Sequence, residues 1–211
     1  MKKIFLFLLV SFLFSLVKIS AADYAPPAVG LRFNYGRGFG SSLHEDSKNM
    51  DMTLEAEKSL DEGASFFFKI PVVTYEKRTN WNIQFELGFS SVNFKTNLPD
   101  DYDSYKSFGF AALCVYDFEI NEKFTVSPLV GEYASIVFGN KHLSGACSGL
   151  TFGSSATYDT GHGAFVGDLR YNFGLGPLGW EDEKNASGSK MFFVYPRFFV
   201  FSIGYQIRLK A

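Results

Sequence analysis

Apolar and polar residues alternate along residues 81 to 89. In an extended chain, one face of this segment carries Trp81, Ile83, Phe85, Leu87 and Phe89, and the other carries Asn82, Gln84, Glu86 and Gly88. A period of two residues is typical of a half-exposed β-strand, because successive side chains of a strand point to opposite faces.

The same alternation recurs near both ends of the chain. Toward the C-terminus, Phe199, Phe201, Ile203, Tyr205, Ile207 and Leu209 share one face, and Val200, Ser202, Gly204, Gln206 and Arg208 share the other. Toward the N-terminus, Val29, Leu31, Phe33 and Tyr35 alternate with Gly30, Arg32 and Asn34. Rows of large apolar residues opposite rows of small or polar ones are typical of a barrel with one apolar and one polar side.

Eight strands are predicted in all. They cover residues 28–40, 62–76, 81–94, 105–118, 124–139, 149–158, 164–175 and 190–209. Pro71 and Pro128 lie inside two of these segments, and each predicts a bulge because proline has no N–H to donate to the sheet.

The connections between the strands alternate in length. Long polar stretches cover 41–61, 95–104, 140–148 and 176–189, and short turns cover 77–80, 121–123 and 159–163. An even number of strands joined in this rhythm predicts a closed antiparallel up-and-down barrel, with turns at one end and loops at the other.

Residues 1–22 have the pattern of a signal peptide. Lysines at positions 2 and 3 precede an apolar run from Ile4 to Val17, and the tripeptide Ser-Ala-Ala precedes Asp23. The run is shorter than the roughly 20 residues that a membrane helix needs. We therefore expect cleavage before Asp23, with residues 23–211 forming one barrel domain.

The composition excludes some classes of protein and leaves two kinds of barrel open. The chain has 25 Phe, 11 Tyr and 20 Gly, and its net charge of −2 gives no basic surface for nucleic acid. After Asp23 no apolar run is long enough for a membrane helix. A barrel in lipid would turn its apolar rows outward, whereas a soluble barrel around an apolar ligand, as in lipocalins, would turn them inward.

The last predicted strand carries Ser202, Gly204, Ile207 and Leu209 in a recognisable spacing. The spacing resembles the signal that the barrel-assembly machinery recognises in a last strand, although Ile207 and Leu209 replace aromatic residues. Together with the signal peptide and the alternation, residues 23–211 resemble the small eight-stranded outer-membrane proteins of the OmpX, OmpW and OmpA-transmembrane kind. The resemblance implies a location in the bacterial outer membrane and contact with its lipid and with the assembly machinery.

In a barrel embedded in lipid, the polar rows face a lumen that is only wide enough for its own side chains. The predicted polar network of the lumen comprises Arg32, Glu86, Asp168, Arg170, Gln206 and Arg208. Lys69, Asp117 and Glu132 join it if the bulges turn them inward. Buried charges must pair, so we expect a packed network that stiffens the barrel, with a proton or ion path as the alternative.

No enzyme activity, cofactor or metal site is predicted. His44, His142 and His162 fall in predicted loops or turns, where nothing fixes an imidazole at hydrogen-bond distance from a serine hydroxyl. Cys114 and Cys147 fall at different depths, so we expect them to be unpaired.

These patterns predict a structural or adhesive envelope protein, whose loops at 41–61 and 176–189 are long enough to bind host or environmental macromolecules. The alternatives are a narrow conduit for small hydrophobic solutes and the soluble barrel. The conduit requires an apolar lining, for which Phe67, Val73, Leu113 and Val115 are the candidates.

Overall fold

The structure is a computed structural model that describes residues 26–38, 43–45, 60–74, 77–95, 102–138, 143–176, 178–182, 190–194 and 197–209. The predicted signal peptide lies outside these residues. Eight long strands dominate, and we number them β1 (Ala28–Gly38), β2 (Leu60–Thr74), β3 (Lys77–Lys95), β4 (Tyr102–Tyr116), β5 (Phe124–Phe138), β6 (Leu143–Asp159), β7 (Ala164–Gly174) and β8 (Arg197–Arg208).

The eight strands close on themselves. Each pairs antiparallel with the strand before it, and β8 pairs with β1 from Ala28↔Arg208 to Gly38↔Phe198. Closure leaves no long strand with an unpaired edge, which is the condition for a sheet to lie in lipid. The predicted closed antiparallel eight-stranded barrel is confirmed.

The apolar rows point outward. Phe33 is 63% exposed and Leu87 is 48% exposed, whereas Arg32 and Glu86, one position away, are buried. The outer surface therefore consists of aromatic and aliphatic side chains, and the polar rows of the same strands face the lumen. This facing is confirmed, and it is the reverse of what the soluble barrel requires.

The two ends of the barrel differ. One end, which we call the turn end, carries the tight turns at 120–123 and 160–163, and there the Leu209 N–H donates to the Pro27 carbonyl. Gly161 adopts a φ of 85° in the second turn, a conformation that favours glycine. The opposite end, the loop end, carries the longer connections.

Short strands extend the barrel wall at the loop end. Leu178–Asp182 forms a hairpin with Lys190–Val194, which pairs in turn with Leu43–Glu45. Gly179 and Trp180 also pair with Ser144 and Leu143 at the start of β6. The backbone thus rises as a small sheet above one side of the barrel, where β6, β7, β8 and β1 lie. A fourth short strand, Phe118–Glu119, pairs with β5 at the turn end.

Several predicted boundaries were wrong. Residues 77–80, predicted as a turn, begin β3, and Lys77 and Arg78 pair with Thr74 and Val73. The strand predicted at 149–158 begins at Leu143, because β5 pairs with it as far as Gly145 and the short strand Leu178–Asp182 pairs with Ser144 and Leu143. Within the strand predicted at 190–209 the structure describes two segments, Lys190–Val194 and β8.

The two prolines predicted to cause bulges behave differently. The register shifts between Pro71 and Val73, so the bulge in β2 is confirmed. No shift occurs at Pro128, because the pairs Val115↔Leu129 and Phe118↔Val126 on either side keep one register. Pro128 interrupts the pairing with β4 without displacing it.

The described residues contain no helix of the length and apolar character needed to cross a membrane.

Candidate functional site in the barrel lumen

Four charged side chains meet in the middle of the lumen, and we call them the ion cluster: Arg32, Glu86, Asp168 and Arg170. Arg32 donates from Nη2 to Glu86 Oε1 at 2.6 Å and from Nη1 to Asp168 Oδ2. Arg170 donates from Nη1 to Glu86 Oε2 and from Nη2 to Asp168 Oδ2, both at 2.8 Å. Each guanidinium bridges both carboxylates, so the two positive charges balance the two negative charges.

The alternation of the strands brings the ion cluster together. Arg32 lies on β1, Glu86 on β3, and Asp168 and Arg170 are two positions apart on β7. Because side chains two positions apart share a face, all four point into the lumen. All four residues are less than 10% exposed. Charges buried this deeply are stabilising only when fully paired, so loss of one member is expected to be costly.

Neighbours on β2, β3 and β8 hold Arg32 and Glu86 in position. The Arg32 guanidinium lies over the Phe67 ring, 4.0 Å from its centroid. Gln84 donates from Nε2 to Glu86 Oε1 at 2.5 Å. Gly204 is paired with Arg32, and a Cβ at this glycine would collide with Arg32 and the Leu31 carbonyl. The Arg32 stem therefore occupies the space that a side chain at position 204 would need.

A second polar group lies nearer the turn end. Lys69 donates from Nζ to Asp117 Oδ1 at 2.7 Å, and Asp117 also accepts from Ser127 Oγ at 2.6 Å and from Asn82 Nδ2 at 3.0 Å. Two of the three residues whose facing the sequence left open, Lys69 and Asp117, thus point inward. The third, Glu132, is exposed on the outer face, between Ala112 of β4 and Leu150 of β6.

Gln206 and Arg208 lie apart from the ion cluster. Gln206 is buried on the lumen side of β8, close to the turn end. Arg208 pairs with Asp159 Oδ2 at 2.7 Å at the turn end itself, where its side chain is 62% exposed. Four of the six residues that the sequence assigned to the lumen network therefore form one cluster, and two do not.

Apolar side chains fill the lumen beside the ion cluster. Leu113, Val115 and Leu129 form a buried cluster, and Phe67 is also fully buried. Three of the four residues named for a hydrophobic conduit thus face the lumen, and the side chain of Val73 lies outside the described residues. Leu113 and Val115 pack against Leu129 in this cluster.

Between the ion cluster and the loop end lies a cavity of about 130 Å³. We call it the chamber. Its lining consists mainly of small or polar residues, among them Asn34, Gly109, Tyr133, Thr151 and Asn172. Beyond it, toward the loop end, Val92, Tyr105, Val137 and Cys147 form an apolar cluster, with Tyr133 and Phe198 packed against it. No sequence pattern predicts the chamber, because its size depends on which lumen residues lie opposite one another.

Groups with catalytic or metal-binding chemistry are not brought together in the described residues. His162 is exposed in the turn at 160–163, the side chain of His44 lies outside the described residues, and so does His142. No group of three or more His, Cys, Asp or Glu there has the arrangement of a metal site. Cys114 faces outward and Cys147 inward, so the two thiols lie on opposite faces of the barrel wall, and both are free.

The fold is similar to that of known outer-membrane proteins. The structure of OprG from Pseudomonas aeruginosa superposes with a TM-score of 0.57 at 13% identity, covering 88% of this chain and 98% of OprG. Ail of Yersinia pestis gives a TM-score of 0.43 at 12% identity, covering 88% of this chain and all of Ail. Neisserial surface protein A gives 0.43 at 14% identity, covering 87% and 97%. No protein-family model and no curated protein matches the sequence. The similarity to OprG establishes the shared barrel fold.

Proposed function

We propose that this chain is an integral protein of the bacterial outer membrane whose barrel is closed to solutes. Its role is to hold long loops at the cell surface, as a structural or adhesive component of the envelope. The ion cluster is the observation that carries the proposal. A hydrated ion crossing the lumen would have to separate buried ion pairs, with Phe67 and Leu113 filling the space beside them.

The outer surface supports a location in lipid. Exposed aromatic and aliphatic side chains encircle the barrel on all eight strands, and in water a surface of this kind would drive aggregation. In an outer membrane the same residues contact acyl chains, with aromatic side chains such as Trp81 and Tyr158 near the turn end suited to the interface.

The signal peptide and the last strand support export and assembly. A signal peptide cleaved before Asp23 would direct the chain across the inner membrane. The assembly machinery would then recognise the last strand through Ser202, Gly204, Ile207 and Leu209. Strand β8 supports this assignment because it closes the barrel against β1, with Ser202 turned inward and Ile207 outward.

The loop end supports a surface role. With the loop end at the cell surface, the loops at 41–61 and 176–189 would meet a host or environmental macromolecule. The small sheet of Leu43–Glu45, Leu178–Asp182 and Lys190–Val194 joins both loops to β6, so the two loops would be presented as one surface.

Conductance in planar bilayers tests the closed barrel. We expect no discrete current steps from the purified wild-type protein, because the ion cluster blocks the lumen. Stable steps of uniform size from the wild type would contradict the proposal. Glu86→Gln is the informative variant, since currents that appear only after this change would identify the ion cluster as the barrier.

The second candidate is a conduit for small hydrophobic solutes, which is favoured by the lumen-facing Phe67, Leu113 and Val115. A liposome uptake assay separates the two functions. The liposomes contain an enzyme that converts the solute, so the rate of conversion reports the rate of entry. The closed barrel predicts the same rate as in liposomes that contain the enzyme but no barrel protein. Uptake that is faster with the wild type and slower with Leu113→Trp would favour the conduit instead.

A further inference from the structure

The chamber contains buried hydrogen-bonding groups that lack partners within the described residues. Tyr133 Oη, Thr151 Oγ1 and Arg170 Nε are each buried without a hydrogen bond, and all three residues line the chamber. An unpaired buried donor costs about 1–3 kcal/mol, so such groups are rare unless something in the cavity pairs with them.

One glycine that lines the chamber has space for an added Cβ. At Gly204 an added Cβ would collide with backbone and with Arg32. At Gly109, by contrast, its nearest neighbours would be Ala134 O at 3.5 Å and Ser135 Cβ at 3.6 Å, which is ordinary contact. A Cβ would therefore fit at Gly109, so strand packing does not require glycine at this position.

The lining selects for an uncharged occupant. The two carboxylates and two guanidinium groups of the ion cluster cancel, so an added ion would be left without a counter-charge. Hydroxyl and amide groups of Asn34, Ser135, Thr151 and Asn172 both donate and accept hydrogen bonds. Their best partner is a small molecule that does the same.

We propose that the chamber is a binding site for small uncharged hydroxylic molecules. Its volume of about 130 Å³ suits a few water molecules or one polyol of the size of glycerol. Tyr133, Thr151 and Arg170 hold the occupant from the walls and from the ion cluster below it. The apolar cluster of Val92, Tyr105, Val137 and Cys147 lies between the chamber and the loop end.

Nuclear magnetic resonance on the full barrel tests this proposal. The protein is refolded into detergent micelles with labelled Thr methyl groups and Tyr rings, in water alone or with carbon-13-labelled glycerol. We expect nuclear Overhauser contacts from the Thr151 methyl group and the Tyr133 ring to the occupant. Contacts to glycerol identify a polyol site, and contacts to water alone identify a water cluster. A chamber that shows contacts to neither overturns the proposal.

Matched variants separate binding from folding. Gly109→Val fills the chamber, so the contacts should disappear while the folded barrel keeps its heat-modifiable gel mobility. If Gly109→Val fails to fold, Tyr133→Phe provides the same test, because it removes one donor and should weaken glycerol occupancy about two- to tenfold. Tyr35→Phe removes a hydroxyl from the outer face and should change nothing. Equal contacts from charged ethanolammonium would also overturn the proposal.

Discussion

At the scale of single residues, the direction in which a side chain points decides the environment of its charge. Glu86 and Glu132 are chemically identical and both lie within long strands. Glu86 accepts hydrogen bonds from Arg32, Arg170 and Gln84 inside the lumen. Glu132 is exposed on the outer face beside Ala112 and Leu150. The same substitution is therefore expected to destabilise the barrel at Glu86 and not at Glu132.

We expect Glu86→Gln to lower the free energy of unfolding by about 3–5 kcal/mol, because it leaves the two guanidinium groups of the ion cluster with one carboxylate. Glu132→Gln should leave it unchanged or raise it, because this change removes a charge from the lipid-facing surface. Urea titration of the barrel in lipid vesicles measures both variants. A stability loss at Glu132 equal to that at Glu86 would refute the assigned directions.

Leu87 tests the outer face in the same way. Leu87→Arg should destabilise the barrel by about 2–4 kcal/mol or block insertion, because it places a charge in the hydrocarbon of the membrane. Leu87→Phe is the control and should be tolerated, since Phe89 and Phe110 already occupy this surface. The fraction of protein that folds into vesicles reports the effect, and equal folding of both variants would count against contact with lipid.

At the scale of strands, the alternation of apolar and polar residues predicts most of the barrel. Strands β1, β3, β7 and β8 are recognisable because large apolar residues alternate with small or polar ones over much of their length. The start of β6 was missed, because Ser144, Gly145 and Ala146 have weak strand preference. Gly145 and Ala146 pair with β5, and Ser144 pairs with Gly179, so neighbouring strands hold this segment extended. The members of the ion cluster could be predicted but its geometry could not, since register across β1, β3 and β7 is set by long-range pairing.

The glycines of β8 and β7 give a prediction at this scale. Gly204→Phe should stall barrel assembly and leave a protease-sensitive chain in the periplasm, because the new side chain collides with Arg32 and the Leu31 carbonyl. Gly167→Ala is the matched control, since its Cβ would have only the Ser202 carbonyl near it, at 3.9 Å. Heat-modifiable mobility of the protein in outer-membrane extracts distinguishes them. Normal amounts of folded Gly204→Phe would show that this close approach is dispensable.

At the scale of the whole molecule, the difference between the two ends predicts its orientation. Protease added to intact cells should cut within residues 41–61 or 176–189 and spare the turn at 120–123, because loops of outer-membrane barrels face outward and turns face the periplasm. Mass spectrometry of the fragments identifies the sites. Cleavage at the turn alone would mean that the orientation is reversed.

The central claim is that one face of each strand contacts lipid and the other lines a closed lumen. A cysteine scan along residues 83 to 88 of β3, with Cys114 and Cys147 replaced by serine, tests it most directly. Each cysteine carries a spin label, and collision with oxygen dissolved in the lipid is measured in reconstituted vesicles. We predict high collision rates at 83, 85 and 87 and low rates at 84, 86 and 88. Equal rates at all six positions, or high rates at 84, 86 and 88, would contradict the account.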